Sequence, residues 1–400
     1  MSCQANRPGA GNAITFPVLQ TFVNRFPVLL PLVLLAYSTA RAQTPPQEPP
    51  LPLHSFRPGE VWPDDHGTAI NAHGGGILVY KGVYYWFGEH KIEGPRGNRA
   101  MVGVHAYSST DLYNWKDEGI ALPVSEDWTS EIGRGCIMER PKVIYNARTG
   151  KFVKWFHLEL RGQGYHAARA GVAVADRPAG PYQYAGSFRL NPGVWPVDPG
   201  DPPSLAAGKP QAAQGDSNAR LIADMPAGQM SRDMTLFVDD DGTAYQIAAS
   251  EDNLALHITR LTPDYLKADT RYVRVFPGGY NEAPTLFKRA GRYYMITSGC
   301  TGWGPNAARS AMADSIWGPW TALGNPCAGT PEQVSKTFGG QATYVLPVPG
   351  KPDAFIFMAD IWRPRNPIDG RYVWLPIEWH EGRPILRWRD EWDLGAFGGH

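Results

Sequence analysis

Five times along this chain a glycine-centred turn is followed at once by an aromatic-rich run: KGVYYWFGE (81–89), TGKFVKWFH (149–157), DGTAYQIAA (241–249), AGRYYMITS (290–298) and PGKPDAFIFMA (349–359). A tight hairpin turn calls for a positive φ, which glycine adopts without strain, and the Val, Tyr, Trp, Phe and Ile that follow favour extended backbone. Each unit is therefore a hairpin arm. Its recurrence means that the chain is assembled from like parts, each unable to bury its faces alone.

A second element recurs in the same order. AVADRPAGPY (173–182) and AMADSIWGPW (311–320) share Ala-x-Ala-Asp-x-x-x-Gly-Pro-aromatic, and AYSSTDLYNW (106–115) is a looser copy. No segment downstream of the N-terminal leader holds a helical apolar period, so the class is all-β. Five units of several short strands each predict a five-bladed β-propeller, an architecture whose radial repetition protects sheet edges. A β-sandwich would not repeat the turn-strand-turn unit.

Arg7 and Arg25 precede the apolar run FPVLLPLVLLAY (26–37), and ARA (40–42) has the form of a small-residue cleavage site. Twelve apolar residues interrupted by Pro27 and Pro31 are too few to span a bilayer, so residues 1–42 are read as a secretory signal peptide. TPPQEPPLP (44–52) then makes 43–54 an extended linker, and 55–400 is assigned to the propeller. The expected destination is the periplasm or the cell exterior, with no membrane attachment after cleavage. Loss of the leader removes Cys3 and leaves Cys136, Cys300 and Cys327, of which Cys300 and Cys327 are the candidates for a loop-closing bond.

The 38 basic and 38 acidic residues balance, so no net field draws the chain to nucleic acid or to an anionic surface, and a neutral partner is expected. The 14 Trp, 18 Tyr and 15 Phe offer flat apolar faces of the kind on which sugars stack.

Counting back from the turn glycines aligns five polar side chains. Nine residues before Gly291, Gly242, Gly350 and Gly82 stand Glu282, Asp233, Gln341 and His73; eleven before Gly150, where NARTG lengthens the turn, stands Glu139. The first strand of each propeller blade lines the central axis, so residues that begin those strands at one register converge on the mouth of the channel. Crowded carboxylates raise one another's pKa, which lets one stay protonated as a general acid while another stays ionised. That division of labour is what glycoside hydrolysis requires.

These motifs resemble glycoside hydrolase family 43, and AHGGGILVYKGVYYWFGE, MERPKVIYN, SRDMTLFVDDDGTAY, NEAPTLFK, TSGCTGWGPN, GGQATYVLP and RYVWLPIEW together resemble its exo-β-1,3-galactanase group. The resemblance implies an inverting enzyme that releases galactose from the non-reducing end of β-1,3-galactan, the main chain of arabinogalactan. It implies that Glu282 is the general acid and that Asp233 orients it and tunes its pKa. Most of the family carries a base aspartate in the first blade; here that place reads NAHGGGI, with His73 or Gly74, and the galactanase group is thought to use a fifth-blade glutamine, matching Gln341. Glu139, Glu89 and Tyr165 are implied to bind sugar hydroxyls, with His73 at the ring and Trp303 of CTGW lining the pocket. An acid and a water-holding group of the inverting kind stand about 6.5–9.5 Å apart.

Other signals carry less. HGGG (73–76) imitates a lipase oxyanion loop, yet the chain has no Gly-x-Ser-x-Gly elbow, and backbone room beside the channel is the better reading. DDDG (239–242) lacks the alternating ligands and final Glu of a calcium loop and reads as a hairpin turn, so neither metal nor cofactor is expected. Trp86, Trp155, Trp317 and Trp320 are expected in the core. The Pro/Gly-rich insertion 190–215 is a candidate wall for the pocket. The partner expected is a galactan or arabinogalactan oligosaccharide bound by a monomer. Alternatives are a family 43 β-galactosidase or α-L-arabinofuranosidase of other linkage preference, or a sugar-binding propeller without hydrolysis.

Overall fold

The computed structural model describes residues 51–94, 96–197 and 218–398. The expected leader, most of the linker and most of the 190–215 insertion lie outside them.

Five antiparallel sheets follow one another along the chain. The first comprises β1 (His73–Tyr80), β2 (Val83–Lys91), β3 (Met101–Ser109) and β4 (Lys116–Pro123), and the second β5 (Ile137–Asn146), β6 (Lys151–Glu159), β7 (Arg169–Ala175) and β8 (Gln183–Phe188). β9 (Met234–Val238), β10 (Ala244–Ser250), β11 (Ala255–Leu261) and β12 (Ala268–Val275) form the third. β13 (Asn281–Arg289), β14 (Arg292–Gly299), β15 (Arg309–Ala313) and β16 (Thr321–Gly324) form the fourth. The short β17 (Cys327–Ala328) then pairs in parallel with the outer edge of the fifth, which consists of β18 (Gln341–Pro347), β19 (Phe355–Ile361), β20 (Arg371–His380) and β21 (Arg383–Arg387).

The innermost strands β1, β5, β9, β13 and β18 pack in that order, and β18 returns to β1, so the chain is the expected five-bladed β-propeller. Each blade's first hairpin turns on the glycine that marked its repeat. Gly82, Gly150, Gly242, Gly291 and Gly350 have φ of 79°, 70°, 81°, 79° and 76°, the left-handed region that disfavours a side chain. DDDG is such a turn: Gly242 N–H donates to Asp239 O, and the Asp239 carboxylate is taken up by Lys288 and Tyr293.

Successive residues of an inner strand point to opposite seams. On β1, Ile77 packs toward the fifth blade and Leu78 toward the second; on β13, Leu286 faces the third and Phe287 the fifth. Both faces of every sheet are therefore buried, which is why these strands read as apolar runs rather than as strict alternation. Each of the five seams has its own hydrophobic cluster.

Among the described residues the ring closes without exchange of a strand between the first and last blades. Trp62, Trp86, Trp115, Trp374 and Trp392 fill that seam, with ring centroids 4.8 Å apart for Trp86 and Trp374 and 5.0 Å for Trp62 and Trp374. Outside them, Phe56 and Trp392 exchange backbone hydrogen bonds and tie the start of the propeller to its end. Trp86, Trp155 and Trp317 are buried as expected, and Trp320 is partly so. The considered Cys300–Cys327 bond is not formed, because Cys327, like Cys136, is a buried free thiol.

Candidate active site

Every first strand starts at the same end of the channel, and Glu282, Asp233, Gln341 and Glu139 gather there. In three blades the residue after the aligned one takes a left-handed conformation inside a β-bulge: Gly74 (φ 62°), Arg140 (55°) and Ala283 (51°). A bulge re-aims the side chains around it, so two consecutive residues can serve one site. Arg140 shows the result. It follows Glu139 directly, yet its guanidinium reaches the channel.

Arg140 joins three blades. Its Nη2 donates to Asp233 Oδ2 at 2.9 Å and to Gln341 Oε1 at 2.6 Å, and Nη1 donates to the carbonyl of Ala342 at 2.7 Å. Asp233 Oδ2 also accepts the N–H of Ala283, next to Glu282, at 3.1 Å. The Glu282 carboxyl takes a hydrogen bond from Asn253 Nδ2 at 2.7 Å. Burial, and then the charge of Asp233, pushes the Glu282 pKa up to about 8, against the opposing pull of Arg140 and Arg232. Burial and the Asp233 charge both favour the protonated form of Glu282 at neutral pH.

Gln341 has a defined orientation. Trp362 Nε1 donates to the same Oε1, at 2.9 Å, and neither an indole N–H nor a guanidinium can accept, so that atom is the amide oxygen. The amide nitrogen donates to Ser298 Oγ at 2.9 Å. Trp362 is overlaid by two cations, with Arg140 Cζ 5.3 Å and Lys91 Nζ 5.5 Å from its ring centroid. Trp303, 39 % exposed, stands edge-on to Trp362 at 5.9 Å. Both line a cavity of about 240 Å³ together with Ser298 and Gln341.

Glu139 accepts from the Tyr165 hydroxyl at 2.7 Å and from Asn98, and its other oxygen lies 3.0 Å from His157 Nδ1. Nε2 of the same imidazole meets Glu159 at 2.8 Å. Burial opposes charge on His157, but the two carboxylates prevail and push its pKa up to about 10. Glu139, His157 and Asp233 place ligand-type atoms within 4.8 Å of one another. Glu139 and Glu159 flank the His157 imidazole on its two nitrogens.

Glu89 is buried, with Lys91 Nζ 2.5 Å from Oε2 and the N–H of Arg140 donating to Oε1 at 3.0 Å. Its carboxylate and the buried Lys142 account for the first and last glycines of the HGGG run. A Cβ on Gly74 would come within 2.3 Å of Glu89 Oε1, and one on Gly76 within 2.5 Å of Lys142 Cδ. His73 shares the register, and its ring lies in the seam between the first and fifth blades. It is 1 % exposed, stacked on Tyr372 at 5.6 Å and pressed against Gly370. Burial, then the charge of Lys91, pushes its pKa down to about 3, so it packs the seam as a neutral ring.

A five-bladed propeller with a buried carboxyl of raised pKa, a carboxylate paired with an arginine and an anchored amide at its axial mouth has the anatomy of a glycosidase. The profile of the glycosyl hydrolases family 43 matches residues 217–384. A β-1,3-galactosidase of that family, solved with galactodeoxynojirimycin, is 53 % identical with a TM-score of 0.78, over 85 % of this chain and all of the other. An exo-β-1,3-galactanase from Phanerochaete chrysosporium, solved with β-1,3-galactotriose, is 31 % identical with a TM-score of 0.69, over 86 % of this chain and 68 % of its own. The β-D-galactofuranosidase xynD of Aspergillus niger is 29 % identical over 150 residues, which span 35 % of this chain and 43 % of that protein. The chain belongs to glycoside hydrolase family 43 and is a glycoside hydrolase.

Proposed function

We propose that this enzyme removes galactose from the non-reducing end of β-1,3-galactan, including the main chain of arabinogalactan, with inversion. The observation that carries the mechanism is the coupling of Glu282 to Asp233 and Arg140 at the channel mouth, which keeps one carboxyl protonated beside one that is paired with a cation. Glu282 gives its proton to the departing glycosidic oxygen, and water attacks the anomeric carbon from the opposite face. Gln341 holds that water. Its oxygen already accepts from Arg140 and Trp362, so the group it turns to the water is the amide hydrogen beyond the one given to Ser298. The cycle closes when the water's proton is lost and Glu282 is reprotonated from solvent. The galactose linkage itself is supported by the relatives described as a β-1,3-galactosidase and an exo-β-1,3-galactanase, and Trp303 and Trp362 beside the cavity offer aromatic faces to a sugar.

The test is a β-1,3-galactan digest of the wild type beside Glu282→Gln, with product sizes read over time. Galactose as the sole early product, and a kcat reduced about 10²- to 10⁴-fold in the variant, are expected for loss of a general acid. Early oligosaccharides, or equal rates, would refute the assignment.

A further inference from the structure

The three left-handed residues share more than their φ. The N–H of Ala283 in the fourth blade is accepted by Asp233 of the third, and the N–H of Arg140 in the second by Glu89 of the first. The N–H of Gly74 in the first blade is accepted by Asp360 of the fifth, at 2.6 Å from Oδ2. Each bulge is thus pinned by a carboxylate of the blade before it. Asp233 and Glu89 already have a place in the site; Asp360 has none. It is 2 % exposed and lies directly across the strand pair from Gln341.

We infer that Asp360 is a positioning residue for hydrolysis, a clasp that holds the first-blade bulge against the fifth blade at the side of the site where Gln341 stands. The consequence runs through Arg140. Gly74 has no side chain, its carbonyl accepts from Lys142 Nζ at 2.8 Å, and a Cβ built on it would lie 3.4 Å from Arg140 Cδ, so its backbone is the wall against which the arginine rests. Arg140 in turn sets Asp233 and Gln341. Without Asp360 the N–H of Gly74 is left buried and unpaired, the bulge relaxes, and the guanidinium loses its seat.

This inference rests on the proposed hydrolysis, and its test separates the two. Wild type, Asp360→Asn and Asp360→Ala are compared for kcat and KM on β-1,3-galactan, and for amide hydrogen exchange over 73–76. Asparagine keeps an acceptor for Gly74 N–H, so it should hold kcat within about tenfold of wild type with slow exchange. Alanine should lose about 10²-fold, the cost of a small misplacement, mainly in kcat, with fast exchange confined to that segment. Asp360→Ala with wild-type kcat and slow exchange overturns the clasp, and so does Asp360→Asn as impaired as alanine while exchange stays slow. If Asp360→Ala does not fold, the asparagine variant decides: activity with slow exchange supports the clasp, and fast exchange overturns it. A wild type that hydrolyses no galactan defeats the functional reading, while the exchange comparison still decides the clasp.

Discussion

Glu282 sits where two effects add, removal from water and the nearby charge of Asp233, and both favour its neutral form. As the proposed donor it would work only while protonated, so kcat/KM should fall above about pH 8. Asp233→Asn removes a like charge and should move that alkaline limb to lower pH; a limb that stays in place would separate Asp233 from the acid. The same group affects folding with a definite sign. Between the ordinary carboxyl range and about 8 the folded chain keeps a proton that the unfolded chain has released, so stability contributed by Glu282 declines as pH rises through that window. Glu282, Asp233, Gln341 and Glu139 were legible in the sequence because a shared distance from a turn glycine reports a shared height on the channel. Arg140 was not. In a regular strand it would point away from Glu139, and nothing local in ERPK announces the bulge that turns both inward. Trp362, His157, Asn98 and Asn253 come from second strands and from loops, where no period links position to direction. His73 is the converse case, with the shared register and a ring that lies in a seam against Tyr372.

At the level of elements, the hairpin glycines and the packing glycines look alike in sequence and differ in what surrounds them. Gly82 has φ 79° and nothing within 4 Å of a built Cβ, so Gly82→Ala should cost about 1–2 kcal/mol through backbone strain alone. Gly88 lies in β2 against the backbone of Ala72, which a Cβ would approach within 2.0 Å. Gly88→Ala should cost about 3 kcal/mol or more, because backbone, unlike a side-chain tip, cannot step aside. Urea denaturation of both variants checks the order, and equal losses would show that the first-blade hairpin yields more than its packing implies. The repeated turn was readable from composition and spacing, whereas the close approach of Gly88 depends on a segment sixteen residues earlier whose path is set by tertiary packing.

For the molecule as a whole, closure of the ring is the structural question that sequence leaves open, since repeats give a blade count but not the last seam. Here side chains close it. Trp374 is fully buried against Trp62, Trp86 and Trp115, so Trp374→Ala should destabilise by about 3–5 kcal/mol. A change below about 1 kcal/mol in thermal or chemical unfolding would mean that the Phe56–Trp392 tie closes the ring without the tryptophans. The closed ring also sets the fourth blade, which carries Glu282, beside the fifth, which carries Gln341, and the proposed mechanism has these two neighbours serve opposite faces of the sugar. Proton NMR of the first galactose released from β-1,3-galactan tests it most directly. Attack from the face opposite the leaving group gives α-galactose first, with the β form growing in as the free sugar equilibrates; β-galactose as the initial product would mean that the two groups do not face each other across the sugar.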